Sequence, residues 1–172
     1  MEFDEEAAKH HAGQEQRITE RLPCGCHSVE VRQFEMKAPT GTTPGITLQH
    51  QSMLSHWPIQ LALVPQGAPF LKEADLILAA DCVPFAYAGF HHDFLKDHSL
   101  LVACPKLDDF QAHQGKLADI LSHSHIRSLT VVHMEVPCCS GLARMAEHAI
   151  RLSGKEIPFK EQIIGIAGDV KS

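Results

Sequence analysis

The sequence predicts an α/β domain of three layers, Rossmann-like or flavodoxin-like, with a mostly parallel five-stranded sheet and an N-terminal arm. Three observations predict it. Short apolar runs recur from Pro58 onward and are continuous rather than alternating, as in strands buried on both faces. The segments between the later runs carry apolar residues at helical spacing. The chain has 172 residues, 44% of them hydrophobic and 21% charged, which is enough for one core to fold without staples.

The arm, residues 1–57, is rich in Glu, Gln and Thr and contains the stretch Ala38-Pro39-Thr40-Gly41-Thr42-Thr43-Pro44-Gly45. A helix over Glu5 to Arg21 is expected there, then a turn at Pro23-Cys24-Gly25-Cys26 and a strand over Val29 to Met36. The domain proper, residues 58–172, places strands at Gln60 to Val64, Asp75 to Ala80, Leu100 to Ala103, Leu129 to Val136 and Gln162 to Ala167. The link Pro65 to Ala74 leaves room for one or two helical turns only. A weak helix is expected between Ala86 and Lys96. Two stronger helices follow: Lys106 to Ser122 aligns Phe110, His113, Leu117 and Leu121, and Ser140 to Leu152 aligns Leu142, Met145, Ala149 and Leu152. Asp108 or Asp109 and Ser140 suit the helix starts, and Gly154 suits the end of the second.

Charge and composition exclude several functions. The formal charge of −6 comes without a basic run or interleaved aromatic residues, so no nucleic-acid partner is expected. No apolar stretch approaches the length of a spanning helix and the N-terminus is acidic, so a cytoplasmic protein with no membrane partner is expected. No glycine-rich phosphate loop or dinucleotide fingerprint follows a strand, and no serine sits on a nucleophile elbow. In a reducing compartment the six cysteines are expected to bind metal or do redox work rather than form structural disulfides.

Their placement carries the functional argument. Asp81-Cys82-Val83-Pro84 follows the second expected strand, Cys104-Pro105 the third and Pro137-Cys138-Cys139-Ser140 the fourth. Proline stops the ladder and turns the chain, which presents each sulfur at the carboxyl rim of the sheet. Ligands of such sheets bind at that rim. Cys139 also stands at a helix start, where free amides and the helix dipole favour a thiolate. Cys82, Cys104, Cys138 and Cys139 would supply four soft ligands for one zinc or one four-iron cluster. Cys24 and Cys26, followed by His27, would add more if the arm folds over the rim.

From Trp57-Pro-Ile-Gln-Leu through Ala79-Ala-Asp-Cys-Val-Pro-Phe-Ala, Ala103-Cys-Pro-Lys-Leu-Asp-Asp109 and Met134-Glu-Val-Pro-Cys-Cys-Ser-Gly-Leu142 the sequence resembles a bacterial and archaeal family described as iron–sulfur-cluster-binding oxidoreductases or ferredoxins. The resemblance spans about residues 57 to 168, with a further short match around Cys24 to Glu35. Members commonly carry two four-cysteine runs of the bacterial ferredoxin type ahead of this domain, and this sequence has neither. A partial likeness to heterodisulfide-reductase-like cysteine-rich domains rests on Cys104 and the pair Cys138-Cys139. The resemblance implies an iron–sulfur cluster, most simply of the 4Fe-4S type, and a redox partner protein.

Among the 13 histidines, His10-His11, His91-His92, His123 and His125 read as solvated surface groups. His133 interrupts a buried strand and reads as a hydrogen-bonded core histidine. Asp81, Lys106, Asp108 and Glu135 lie near the rim, and none is assigned a catalytic role. The expectation is therefore an iron–sulfur protein of electron transfer, or an accessory to an oxidoreductase, with Cys24, Cys26, Cys82, Cys104, Cys138 and Cys139 as the ligand set. A zinc protein using the same thiolates and a metal-free thiol-redox protein are the alternatives. Self-association is left open.

Overall fold

A computed structural model describes residues 29–34 and 52–171. The expected Glu5 to Arg21 helix, Cys24, Cys26, His27 and His10-His11 lie outside the described residues. The first element, β1 (Arg32–Gln33), pairs antiparallel with β2 (His56–Trp57). The strand expected over Val29 to Met36 is thus a two-residue pairing within its described part.

The main sheet contains β3 (Asp75–Ala80), β4 (Ser99–Ala103), β5 (Ser128–Met134), β6 (Phe159–Ile164) and β7 (Val170–Lys171), in the spatial order β4-β3-β5-β6-β7. The first four are parallel, and β7 runs antiparallel at the edge. Leu76, Ile77, Leu78, Ala79 and Ala80 of β3 are all buried, as the continuous apolar run requires of a central strand.

The chain from Gln60 to Val64 does not form the expected first strand. Leu63 and Val64 N–H groups both donate back to the Gln60 carbonyl, so the chain turns after one parallel bridge between Gln60 and Val102. Leu61 and Val64 are fully buried all the same, as part of the core rather than as a ladder. The fifth strand is instead β7. The strand expected at Gln162 to Ala167 lies three residues earlier, because Gly165 to Gly168 form the turn into β7.

Helix α1 (Val83–Ala86) and a single wide turn over His91–Leu95 replace the weak helix expected between Ala86 and Lys96. Helix α2 (Phe110–His123) is capped by Asp109, whose carboxylate accepts from the Gln111 and Ala112 amides at 3.1 Å each. Helix α3 (Ser140–Ser153) ends at Gly154 in the left-handed conformation, φ 67°. Both long helices bury most of the apolar stripes read from the sequence, with Phe110 half-buried and Leu152 exposed at the two outer ends, and they pack against each other on one face of the sheet. Right-handed crossovers put the β3 to β4 connection, which carries α1, on the opposite face.

Candidate functional site at the carboxyl rim

The strand order decides what the cysteines can do together. β3 leads into Asp81-Cys82, β4 into Cys104-Pro105 and β5 into Pro137-Cys138-Cys139, and β3 lies between β4 and β5. The three cysteine-bearing ends are therefore adjacent, about 4.8 Å apart from strand to strand. The chain steps from β3 outward to β4, then crosses back over β3 to β5. The order reverses between β3 and β5, and in open α/β sheets ligands bind beyond the carboxyl ends of the strands at such a point. Cys82 flanks that point on one side, and Cys138 with Cys139 on the other.

All four described cysteines are free thiols. Cys82 and Cys138 are exposed, Cys104 is half-buried and Cys139 is buried. Burial pushes the Cys139 thiol up, a main-chain hydrogen bond from Met134 pulls the other way, and Cys138 and Cys82 push it further up. The helix dipole at the α3 N-terminus, read from the sequence as favouring a thiolate, is opposed at Cys139. Desolvation outweighs the helix dipole at this residue, and the neighbouring thiols add to it. The same interactions place Cys82, Cys138 and Cys139 in one electrostatic neighbourhood. Among the described residues, no three His, Cys, Asp or Glu side chains are gathered in a way that would hold a metal ion. In kind and number the four thiols suit a soft metal or cluster, since four thiolates complete either coordination set.

A polar group lies behind the thiols. Asp108 caps no helix: its Oδ2 accepts the Cys104 N–H at 2.7 Å and so holds the turn that presents that sulfur. The buried His113 directs Nδ1 to the Asp109 carbonyl at 2.9 Å and Nε2 toward Asp108 Oδ2 at 3.5 Å. Asp81 completes the group. One of its carboxylate oxygens is buried without a partner, and burial, then the Asp108 charge, raises its carboxyl while His113 opposes the rise. The sequence reading treated His113 only as a core-facing helix position. The available signal was the spacing in Cys104-Pro-Lys-Leu-Asp-Asp-Phe, which sets an aspartate four residues after the thiol.

His133 is buried and hydrogen-bonded, as read from its strand. Its Nδ1 meets the Met134 carbonyl at 2.8 Å, and its Nε2 meets Glu161 Oε1 of β6 at 2.7 Å. Glu135 accepts the Ile166 N–H at 2.8 Å and pairs with Lys171 at 3.4 Å, which ties the β6–β7 turn to the rim. The shallow depression of about 390 Å³ lined by Ile77, Phe94, His98, Thr130 and Lys160 lies across the middle of the sheet, away from the cysteines.

No helix among the described residues is long and apolar enough to cross a membrane. No solved structure matches the chain. An uncharacterized protein of Archaeoglobus fulgidus is 32% identical over 118 residues, covering 69% of this chain and 83% of its own length. A family profile described as a Rossmann-like domain matches residues 68–172, which include the sheet from β3 to β7, both long helices and all four rim cysteines. With this match over more than half of its length and four parallel strands in the order found here, the chain belongs to the Rossmann-like domain family.

Proposed function

We propose that this chain binds an iron–sulfur cluster at the carboxyl rim of its sheet and exchanges electrons with a partner oxidoreductase. The observation that carries the reading is the strand order, which brings Cys104, Cys82 and the Cys138-Cys139 pair to three adjacent strand ends where that order reverses. Cys82, Cys104, Cys138 and Cys139 would hold the group, with Cys24 and Cys26 as further donors. When bound, such a cluster would supply one-electron transfer at a potential set by its thiolates, their hydrogen bonds and their exposure.

The chain's own residues support this use of the rim. Cys82 and Cys138 are open to solvent, where an incoming metal or cluster can reach them. Burial, and after it the neighbouring thiols, push the Cys139 thiol up, and a bound cation would offset that effect. Asp108 fixes the main chain at Cys104 through its amide, a supporting contact of the kind that orients ligands.

The test is anaerobic purification followed by reconstitution with iron and sulfide. Matching iron and sulfide per chain with a broad visible absorbance supports the proposal, and Cys82→Ser or Cys138→Ser should reduce the bound iron at least several-fold. A colourless protein that holds one zinc per chain after the same treatment overturns it in favour of a thiolate zinc site. A protein that takes up neither, with Cys138 and Cys139 cycling between dithiol and disulfide, overturns it in favour of metal-free thiol chemistry.

A further inference from the structure

The two faces of the sheet are unequally covered. α2 and α3 pack on one, and the β3–β4 connection that crosses the other brings only the four residues of α1 and the five of the wide turn. Side chains at paired positions of parallel strands point the same way, and Ile77, Thr130 and Lys160 are paired across β3, β5 and β6. Ile77 is buried, Thr130 half-buried and Lys160 exposed, so the cover thins from β3 toward β6. The depression of about 390 Å³ lies over this row, walled by Asp93 and Phe94 of the wide turn and by His98. Its volume is that of a small-molecule site.

What such a site would take follows from which polar groups are already spent. Asp93 accepts from the Tyr87 hydroxyl at 2.5 Å and meets His92 Nδ1 at 3.1 Å, and these bonds, the first above all, hold its carboxyl below the usual range. Glu161 stands in the neighbouring row with Leu78 and Val131, which faces the other way, and its carboxylate meets His133. The Gln162 amide donates to the Lys171 carbonyl at 2.8 Å. His98 donates through Nδ1 to the Lys96 carbonyl at 2.6 Å, so its neutral ring offers only an acceptor at Nε2. The Lys160 ammonium and the Thr130 hydroxyl remain, and no described residue gives either a hydrogen bond or an ion pair. From Ile77 to Lys160 is two strand spacings, about 10 Å. Over that distance the depression passes from a fixed negative charge and an aromatic ring, across an apolar floor, to two unspent donors, one of them cationic.

We propose that this depression binds a small carboxylic acid with an aromatic or branched apolar body, its carboxylate on Lys160 and Thr130 and its body against Ile77 and Phe94. The charge of Asp93 sets that direction, since the reverse placement would bring two carboxylates together. The site lies away from the thiol rim, and the proposal does not depend on what the rim binds.

The full chain, isotopically labelled, is titrated with phenylpropanoate while its amide signals are followed by NMR. Phenylpropanamide serves as a neutral ligand of the same shape, and acetate as the head alone. The expected result is saturable movement of the Phe94, Thr130 and Lys160 signals with a dissociation constant of about 1 mM or tighter, the affinity that about eleven non-hydrogen atoms support. The neutral amide should bind about fivefold more weakly, and Lys160→Gln and Thr130→Val should each weaken phenylpropanoate about fivefold while signals elsewhere keep their positions. Arg144→Gln removes an exposed charge from α3, on the other face of the sheet, and should leave the affinity unchanged. Movement of the same signals by acetate at equal affinity overturns the proposal and leaves a bare anion on a surface lysine. Equal affinity for the amide, or an affinity that Lys160→Gln does not change, removes the carboxylate from the site and overturns it too. So does the absence of saturable movement up to about 10 mM ligand.

Discussion

His56 shows how a single side chain carries the pH dependence of the fold. It is buried, stacks on Phe70 with ring centroids 3.8 Å apart, and accepts the Leu100 N–H on Nε2 at 2.8 Å. Accepting that bond requires an unprotonated nitrogen, so the native chain holds the neutral ring. Burial lowers its pKa from 6.5 to about 4, with the Pro58 carbonyl pulling the other way. Between those values the unfolded chain binds a proton that the folded chain does not. The resulting stability is fully present above about 6.5 and is lost as pH falls toward 4, up to about 3 kcal/mol in all. Urea unfolding across that interval should show the loss in the native chain and a flatter dependence in His56→Gln, which is weaker near neutral pH. Parallel curves for the two proteins would remove His56 as the origin. Asp81 and His113 belong to the same scale, and neither contact was legible in the sequence. Asp81 follows β3 and His113 lies on α2, and only the folded sheet brings them to Asp108. The cysteines were legible because each stands within two residues of a proline just past the end of its strand. Burial at Cys139 was not, since it depends on how α3 seats against β5.

At the scale of elements, the reading succeeded where periodicity was strong. β3, β4, β5, α2 and α3 each carry a continuous apolar run or a helical stripe, and each lies close to its expected place. Leu61-Ala62-Leu63-Val64 carries an apolar run as well, yet Pro65 follows it and the chain turns back on Gln60. An apolar run reports burial, and a turn can bury Leu61 and Val64 as fully as a strand can. β7 escaped because Val170–Lys171 is too short to show any period. Two glycines end elements in this part of the chain and differ in an instructive way. Gly154 and Gly168 both have positive φ, 67° and 87°. A Cβ on Gly154 meets nothing within 4 Å, whereas on Gly168 it would strike the Ala86 carbonyl oxygen. Gly154→Ala should therefore cost about 1 kcal/mol from backbone conformation alone. Gly168→Ala should cost more, about 2 to 3 kcal/mol, because the β6–β7 turn must also part from α1. Thermal unfolding of the two variants side by side measures the difference, and equal losses would show that the turn does not lean on α1.

For the whole molecule, the rim exists only while the sheet does. Cys82, Cys104 and the Cys138-Cys139 pair lie far apart in sequence and become neighbours through the order β4-β3-β5. A compact four-cysteine run could keep its metal in a locally ordered loop, but these thiols cannot. A group bound by the folded chain alone stabilises it in proportion to its affinity, by about 2.7 kcal/mol at a hundredfold excess over the dissociation constant. The anaerobically reconstituted chain should accordingly unfold at a higher denaturant midpoint than the metal-free chain, with visible absorbance and far-UV circular dichroism lost together. Leu78 is fully buried in β3, the strand that carries Cys82 and lies between the other two cysteine-bearing strands. Leu78→Ala should cost about 2 to 5 kcal/mol and move both signals to a lower midpoint by the same amount. If the absorbance outlasts the secondary structure, the group is held by a local segment such as Cys24-Gly25-Cys26, and the assembled rim is not what binds it. Coincident loss in both proteins would tie the site to the strand order, the one arrangement in this fold that makes neighbours of distant thiols.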